Sequence, residues 1–123
     1  VLGTRVSAPL LLAPAALQRL VHPDAEVGST RAAARAGLVA VVSTTGSQSL
    51  EEIAAASDGP RWFQLYAVRD RGITRDLVRR AEAAGYGAIC LTVDTPLLGR
   101  RERDLRAGFR LPPDVSIANL TPY

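Results

Sequence analysis

Four short apolar runs divide this chain, and each turns polar at its carboxyl end. Leu10-Leu11-Leu12-Ala13 leads into Pro14-Ala15-Ala16, Val39-Ala40-Val41-Val42 into Ser43-Thr44-Thr45, and Phe63-Gln64-Leu65 into Tyr66. The fourth run, Ala88-Ile89-Cys90-Leu91, passes into Thr92-Val93-Asp94-Thr95-Pro96, with Thr92 standing 28 positions beyond Gln64. Runs that are apolar without alternation suit parallel strands buried on both faces. A strand that closes on Gln and Tyr, or on Thr and Asp, is built to present chemistry rather than to pack.

Three helical patterns separate the runs. From about Asp24 to Ala36 the chain is rich in good helix formers, and Gly37 stands where a left-handed cap belongs. Ser49-Leu50-Glu51-Glu52 is a capping box that opens a short helix through Ala56. A third helix begins near Asp70 or Thr74, carries Ile73, Leu77, Val78, Ala81 and Ala84 along one side, and ends at Gly85. The order β-α-β-α-β-α-β is that of repeated βα units, which an open doubly wound sheet and a closed barrel both satisfy. Polar residues at every strand end favour the barrel, where all strands feed one mouth, whereas an open sheet uses mainly its switch point.

The predicted fold class is therefore α/β, a partial (β/α)8 TIM barrel holding about the first four βα units. With 123 residues the chain has about half of the roughly 250 that such a barrel needs, and it contains no Met, so a longer parent is expected. Val1 to Ser7 reads as an extended lead-in with a turn at Gly3. Beyond Pro96 no fifth strand is visible. The Arg-rich stretch from Arg100 to Arg110 and the polar tail to Tyr123 read as a long loop, of the kind that forms lids.

Charge narrows the function little. The net charge is +3, and all 15 basic residues are Arg, spread along the helical stretches instead of clustering with aromatics, so a nucleic-acid partner is not expected. One cysteine, Cys90, lies within an apolar run, which excludes an intrachain disulfide and predicts a buried thiol in a reducing, cytoplasmic setting. No run approaches the length of a membrane span, no leader pattern opens the chain, and no metal site is expected.

Candidate chemistry lies at the strand ends. Ser43, Gln64 and Thr92 bring a hydroxyl, an amide and a hydroxyl to successive strands, a set that matches the donors and acceptors of a planar heteroaromatic ring. Each alone is an ordinary strand-end residue bonding to nearby backbone; their coincidence on three strands points to a site. The ordered motifs Ala13-Pro14-Ala15-Ala16, His22-Pro23-Asp24, Phe63-Gln64-Leu65-Tyr66, Leu91-Thr92-Val93-Asp94-Thr95-Pro96 and Leu98-Gly99-Arg100-Arg101-Glu102 go further. Together they resemble the FMN-dependent α-hydroxy acid oxidase and dehydrogenase family, which includes glycolate oxidase and the flavin-type L-lactate dehydrogenase, over nearly the whole chain.

That resemblance implies a role for each position. Pro14, Ala15 and Ala16 fall on the backbone segment that lies against the flavin, while Ser43, Gln64 and Thr92 fall on positions that contact FMN. Tyr66 and Arg101 match substrate-contacting residues, and Asp94 a carboxylate that supports the catalytic histidine. The resemblance also places the base histidine, a second arginine, the flavin lysine and the phosphate site on later strands, and another substrate tyrosine upstream. His22, at a helix entry, is not read as the base, and without the resemblance Arg101 would read as part of a solvated mixed-charge face. Two departures stand out: Thr45 replaces the bulky aromatic of plant glycolate oxidases, and Ala15 replaces a threonine.

The implied function is part of an FMN-dependent oxidoreductase that converts a small L-2-hydroxy acid to the 2-oxo acid by hydride transfer to flavin. Residues 1–123 would form a fragment of a single FMN-binding TIM-barrel domain, inactive by itself, from a parent expected to be a homo-oligomer completed by a carboxyl-terminal half-barrel. The alternative is a non-catalytic half-barrel that binds or assembles with a complementary chain. Another FMN barrel, a nucleotide dehydrogenase, needs a cysteine on a flexible loop, and Cys90 within a strand is poorly placed for that.

Overall fold

The computed structural model describes residues 1–94 and 99–123. Strands β1 (Leu11–Leu12), β2 (Val39–Ser43), β3 (Arg61–Leu65) and β4 (Ile89–Leu91) alternate with helices α1 (Ala25–Arg35), α2 (Leu50–Ala55) and α3 (Arg71–Ala83), and a fourth helix, α4 (Glu102–Ala107), follows. All pairings are parallel, and the sheet order is β1-β2-β3-β4. Helix α2 packs between α1 and α3 in one layer. Consecutive strand order with neighbouring helices in a single layer is the winding of a barrel; a doubly wound sheet reverses its order at a switch point.

The two-residue period of a strand explains both the core and the site. Val42, Phe63 and Leu65 face the helices and join Leu50, Ile53, Leu77, Ala81 and Tyr86 in one buried cluster. Ser43 and Gln64 are paired in register and project from the opposite face, as Trp62 does. Phe63 is fully buried with its ring edge-on to Tyr86, centroids 6.2 Å apart.

Local signals act where the sequence places them. The Ser49 hydroxyl accepts from the Glu52 amide at 3.2 Å while the Glu52 carboxylate accepts from the Ser49 amide at 2.8 Å, the reciprocal capping box. Asp70 caps α3 by accepting from the Gly72 amide at 2.7 Å, which settles the start of the third helix. Gly37 has φ +67°, and a Cβ there would meet the Ser7 hydroxyl at 2.0 Å, so glycine is required both for the turn and for the passing amino-terminal segment. Gly3 sits in a turn, with φ +78°.

Three expectations need correction. Strand β1 is two residues long, shorter than the apolar run that predicts it, because only its inner edge is paired. Cys90 is half-buried, since β4 is the other edge strand and its flanking Ile89 and Leu91 are 41% and 55% exposed. The Arg-rich stretch is not wholly loop: Glu102–Ala107 forms α4, with Glu102 paired to Arg106 at 2.9 Å one turn on and Gly108 at φ +61° ending it. Thr95, Pro96 and Leu98 of the sequence motifs lie outside the described residues. Among the described residues no helix is long and apolar enough to cross a membrane.

Tyr86 gives the fold a titratable anchor. Its hydroxyl donates to the Leu50 carbonyl at 3.0 Å, and burial pushes its phenol well above the ordinary value near 10. The unfolded chain releases this proton near pH 10 while the folded chain holds it, so the stability it contributes is complete below about pH 10 and declines above it. Urea midpoints measured across this range are expected to fall in alkali, and Tyr86→Phe to flatten that fall; an equally steep decline in the variant would contradict this role.

Candidate functional site

The register of three strands builds the site. Ser43 lies level with Gln64, and Gln64 level with Cys90, so Thr92 stands one pleat further on the same face. The Ser43 hydroxyl donates to Gln64 Oε1 at 3.1 Å, and Gln64 Nε2 donates to Thr92 Oγ1 at 2.8 Å. Thr45 Oγ1 extends the chain, 3.0 Å from Ser43 Oγ. Four polar side chains from the ends of β2, β3 and β4 thus form one continuous hydrogen-bonded row. Ser43 and Gln64 are each only 4% exposed, so the row fixes their orientation in a dry setting where hydrogen bonds are strong.

Thr44 is the row's hidden support. It is buried, its hydroxyl donates to the Gln64 carbonyl at 2.6 Å, and the same oxygen accepts from the Tyr66 amide at 3.0 Å. The end of β2 therefore sets the path of the backbone that leaves β3 at Tyr66, whose side chain is half-buried. Asp94 is exposed two residues beyond Thr92, and Arg101 is exposed at the N-cap of α4. Among the described residues no side-chain hydrogen bond or ion pair joins Tyr66, Asp94 or Arg101 to the row.

Pro14, Ala15 and Ala16 follow β1 as exposed residues. A cleft of about 510 Å³ touches Ala15 and Ala16, with Leu12, His22 and Gly28 among its other walls. It runs between β1 and α1 and does not include Ser43, Gln64 or Thr92, so the cleft and the polar row are separate features. His22 is exposed, and its Nδ1 accepts from the Asp24 amide at 3.2 Å, as a helix-entry residue does.

Two residues that the sequence analysis passes over hold the site's frame. Glu26, 2% exposed on α1, accepts from the Gln18 amide at 3.1 Å and from the Ser47 amide and hydroxyl at 2.8 and 2.7 Å. Asn119, fully buried, accepts from the Leu50 amide at 2.9 Å and donates to the carbonyls of Ser43 and Thr44 at 3.5 and 3.4 Å. Glu26 sits in a run that reads simply as helix, and its only signal is an acidic residue in a first turn. Asn119 is 69 to 76 residues from its partners and carries no local signal.

Residues 1–123 match the family model described as FMN-dependent dehydrogenase. The chain is 50% identical over 119 residues to glycolate oxidase 3 of Oryza sativa subsp. indica, covering 97% of this chain and 32% of that protein. It is 54% identical over 125 residues to the L-lactate oxidase of a Nostoc species, covering 98% of this chain and 34% of the relative. Mandelate oxidase solved with benzoyl-formic acid superposes with a TM-score of 0.93 at 52% identity, covering 98% of this chain and 36% of the other. A mandelate oxidase variant solved with a C4a-OH-FMN adduct superposes with the same TM-score.

The chain spans about a third of the length of these relatives, and its four βα units correspond to the amino-terminal part of their α/β barrel. With a family model that matches residues 1–123 and a backbone that superposes over 98% of the chain, one assignment follows: this chain belongs to the FMN-dependent dehydrogenase family.

Proposed function

We propose that residues 1–123 supply the first half of the flavin and substrate pocket of an FMN-dependent 2-hydroxy acid oxidase, as part of a single TIM-barrel domain. The observation that carries this reading is the row Thr45–Ser43–Gln64–Thr92, ordered across three successive strand ends on the face away from the helices. Its donors suit a flavin ring. Thr92 accepts from Gln64 and keeps its own hydroxyl proton to give, and Gln64 Nε2 has a second proton. The exposed residues Pro14–Ala16 offer their backbone for the face of the same ring.

Bound FMN supplies the two-electron acceptor that no side chain here provides. The chain's own residues bind and orient. Tyr66 donates its hydroxyl to the substrate carboxylate, and Arg101 pairs with that carboxylate at fixed charge. Asp94 holds the protonated form of a base brought by a later strand, which receives the hydroxyl proton of the 2-hydroxy acid. His22 faces solvent at its helix entry and takes no part.

Glycolate, lactate and mandelate oxidases all stand among the similar proteins, which fits a small L-2-hydroxy acid as substrate. Thr45 belongs to the polar row and is half-buried, so a small side chain there leaves room beside the ring. The preferred substrate is accordingly larger than glycolate. The half-buried Cys90 suits a reducing compartment, and we place the parent in the cytoplasm.

A second reading draws on the sheet edges. Leu10, Leu11 and Leu12 on one side and Ile89, Leu91 and Val93 on the other are 37–78% exposed, a pattern that calls for cover by further strands. In the proposed parent, which we take to be a homo-oligomer, a carboxyl-terminal half-barrel covers them; a separately made complementary chain would make this an assembly module. Turnover of a 2-hydroxy acid panel tests the first reading, and co-expression with a separately made half-barrel that restores activity would favour the second. The complete protein is expected to turn over bulkier 2-hydroxy acids better than glycolate, and the 123-residue chain with added FMN to turn over none. Best turnover with glycolate would overturn the pocket argument, and flavin-dependent turnover by the isolated chain would overturn the half-pocket itself.

A further inference from the structure

Glu26 is a buried carboxylate that the proposed chemistry leaves unused, and among the described residues it makes no ion pair. Its partners are instead three donors drawn from two different strand-end loops. Oε1 accepts from the Gln18 amide in the loop after β1 and from the Ser47 amide in the loop after β2, and Oε2 accepts from the Ser47 hydroxyl. Other bonds converge on the same seam. The Leu17 amide donates to the Thr45 carbonyl at 3.1 Å, the Arg19 amide to Ser47 Oγ at 3.0 Å, and the Val27 amide to Gln48 Oε1 at 2.9 Å.

The seam is held under backbone strain. Leu17 and Ala25, directly before Gln18 and Glu26, have φ of +48° and +46°, the left-handed region that residues other than glycine rarely enter. Such conformations persist where surrounding bonds over-determine them. Pro14–Ala16 lie at the start of the loop after β1, and the loop after β2 begins with Thr44 and Thr45, which directly follow Ser43 of the polar row. A buried carboxylate is costly to desolvate, and its best-attested use is to select one arrangement among several.

We propose that Glu26 is a positioning residue that staples the loop after β1 to the loop after β2. The staple presents the Pro14–Ala16 backbone and the Ser43 hydroxyl to one flat ligand in a single fixed relation. This inference rests on the flavin reading for its consequence but not for the staple itself, and its test keeps the two apart.

Glu26→Leu, Glu26→Ala and Glu26→Gln are compared in the full-length protein by two measurements: backbone amide exchange in the absence of flavin, and FMN affinity by flavin fluorescence. Removing the carboxylate is expected to speed exchange at Gln18 and Ser47 while amides of β3 and α3 keep their protection. FMN affinity is expected to fall at least about tenfold, with altered visible circular dichroism of the bound flavin. Glu26→Gln retains an oxygen that accepts both amides, and it is expected to restore protection and most of the affinity. Unchanged exchange at Gln18 and Ser47 in Glu26→Leu, or exchange raised uniformly across the protein in all three variants, would overturn the staple. Faster exchange at those two amides with unchanged FMN affinity would overturn its role in presentation. A wild-type protein that takes up no FMN would overturn the flavin reading and the presentation role together, while the exchange measurement still decides the staple.

Discussion

Gln64→Leu in the full-length protein is expected to weaken FMN binding at least about a hundredfold while the chain still folds. The amide is 4% exposed and lies at the centre of the polar row, accepting from Ser43 Oγ at 3.1 Å and from the Thr44 amide at 3.3 Å, and donating to Thr92 at 2.8 Å. Leucine fills the space but leaves the Ser43 hydroxyl without its acceptor and Thr92 without its donor. Leucine also offers the flavin ring no donor where Gln64 has one; a ring acceptor buried without its hydrogen bond costs about 1–3 kcal/mol of binding, and about 2.8 kcal/mol corresponds to a hundredfold. The fold survives because the side chain projects from the face opposite the Phe63 and Leu65 core, and the Thr44 amide keeps its bond to the Gln64 carbonyl at 3.0 Å. Gln64→Glu separates the two functions of the amide. A carboxylate still accepts from Ser43 and Thr44 but donates nothing to Thr92 or to a ring. Fluorescence titration with FMN reads both variants, and an affinity within about threefold of wild type for Gln64→Leu would contradict the role assigned to the row.

Asn119→Ala is expected to be the most destabilising single change outside the apolar core, by about 2–4 kcal/mol. Its Oδ1 is the acceptor for the Leu50 amide, a buried first-turn donor of α2 with no partner within its own helix, and its Nδ2 bonds to two carbonyls at the end of β2. Alanine leaves the Leu50 amide without an acceptor and the Thr44 carbonyl without its Asn119 donor, while the Ser43 carbonyl keeps the Gly46 amide at 3.2 Å. The change also releases the carboxyl-terminal segment, which returns to the sheet through Asn119 and through the bond of the Ala118 amide to the Gly46 carbonyl at 3.0 Å. Arg80 holds the same segment from outside, donating to the Asn119 carbonyl at 3.1 Å while its ion pair with Glu51 lowers that carboxyl below its ordinary value. Urea unfolding gives the stability change, and limited proteolysis is expected to cut first between α4 and Asn119. A loss below about 0.5 kcal/mol would mean that the segment is held by something other than Asn119.

Much of the frame was legible because parallel strands buried on both faces leave unbroken apolar runs. The short-range punctuation at Ser49, Asp70, Gly37 and Gly85 depends on residues only a few positions apart. The polar row was legible for a related reason: strand register turns similar depth along successive apolar runs into proximity in space, and Ser43 lies level with Gln64 while Thr92 stands one pleat beyond it on the same face. Helix α4 was not legible, since the Arg-rich stretch carries no apolar stripe and its six residues owe their form to one ion pair and a glycine stop. Glu26 and Asn119 were hidden for opposite reasons. Glu26 looks like an ordinary helix residue until the loops fold onto it, and Asn119 reaches across more than half the chain to partners that no local pattern connects with it. The exposure of Cys90 and the shortness of β1 follow from their place on edge strands, which strand composition does not reveal.

A crystal structure of the full-length protein with FMN bound bears on the flavin pocket before any other measurement. The flavin ring is expected over Pro14–Ala16, with the Gln64 amide and the Thr92 hydroxyl within hydrogen-bonding distance of its polar edge and Thr45 beside an open substrate space. A flavin seated elsewhere, with the row from Ser43 to Thr92 intact but touching no part of the ring, would contradict it.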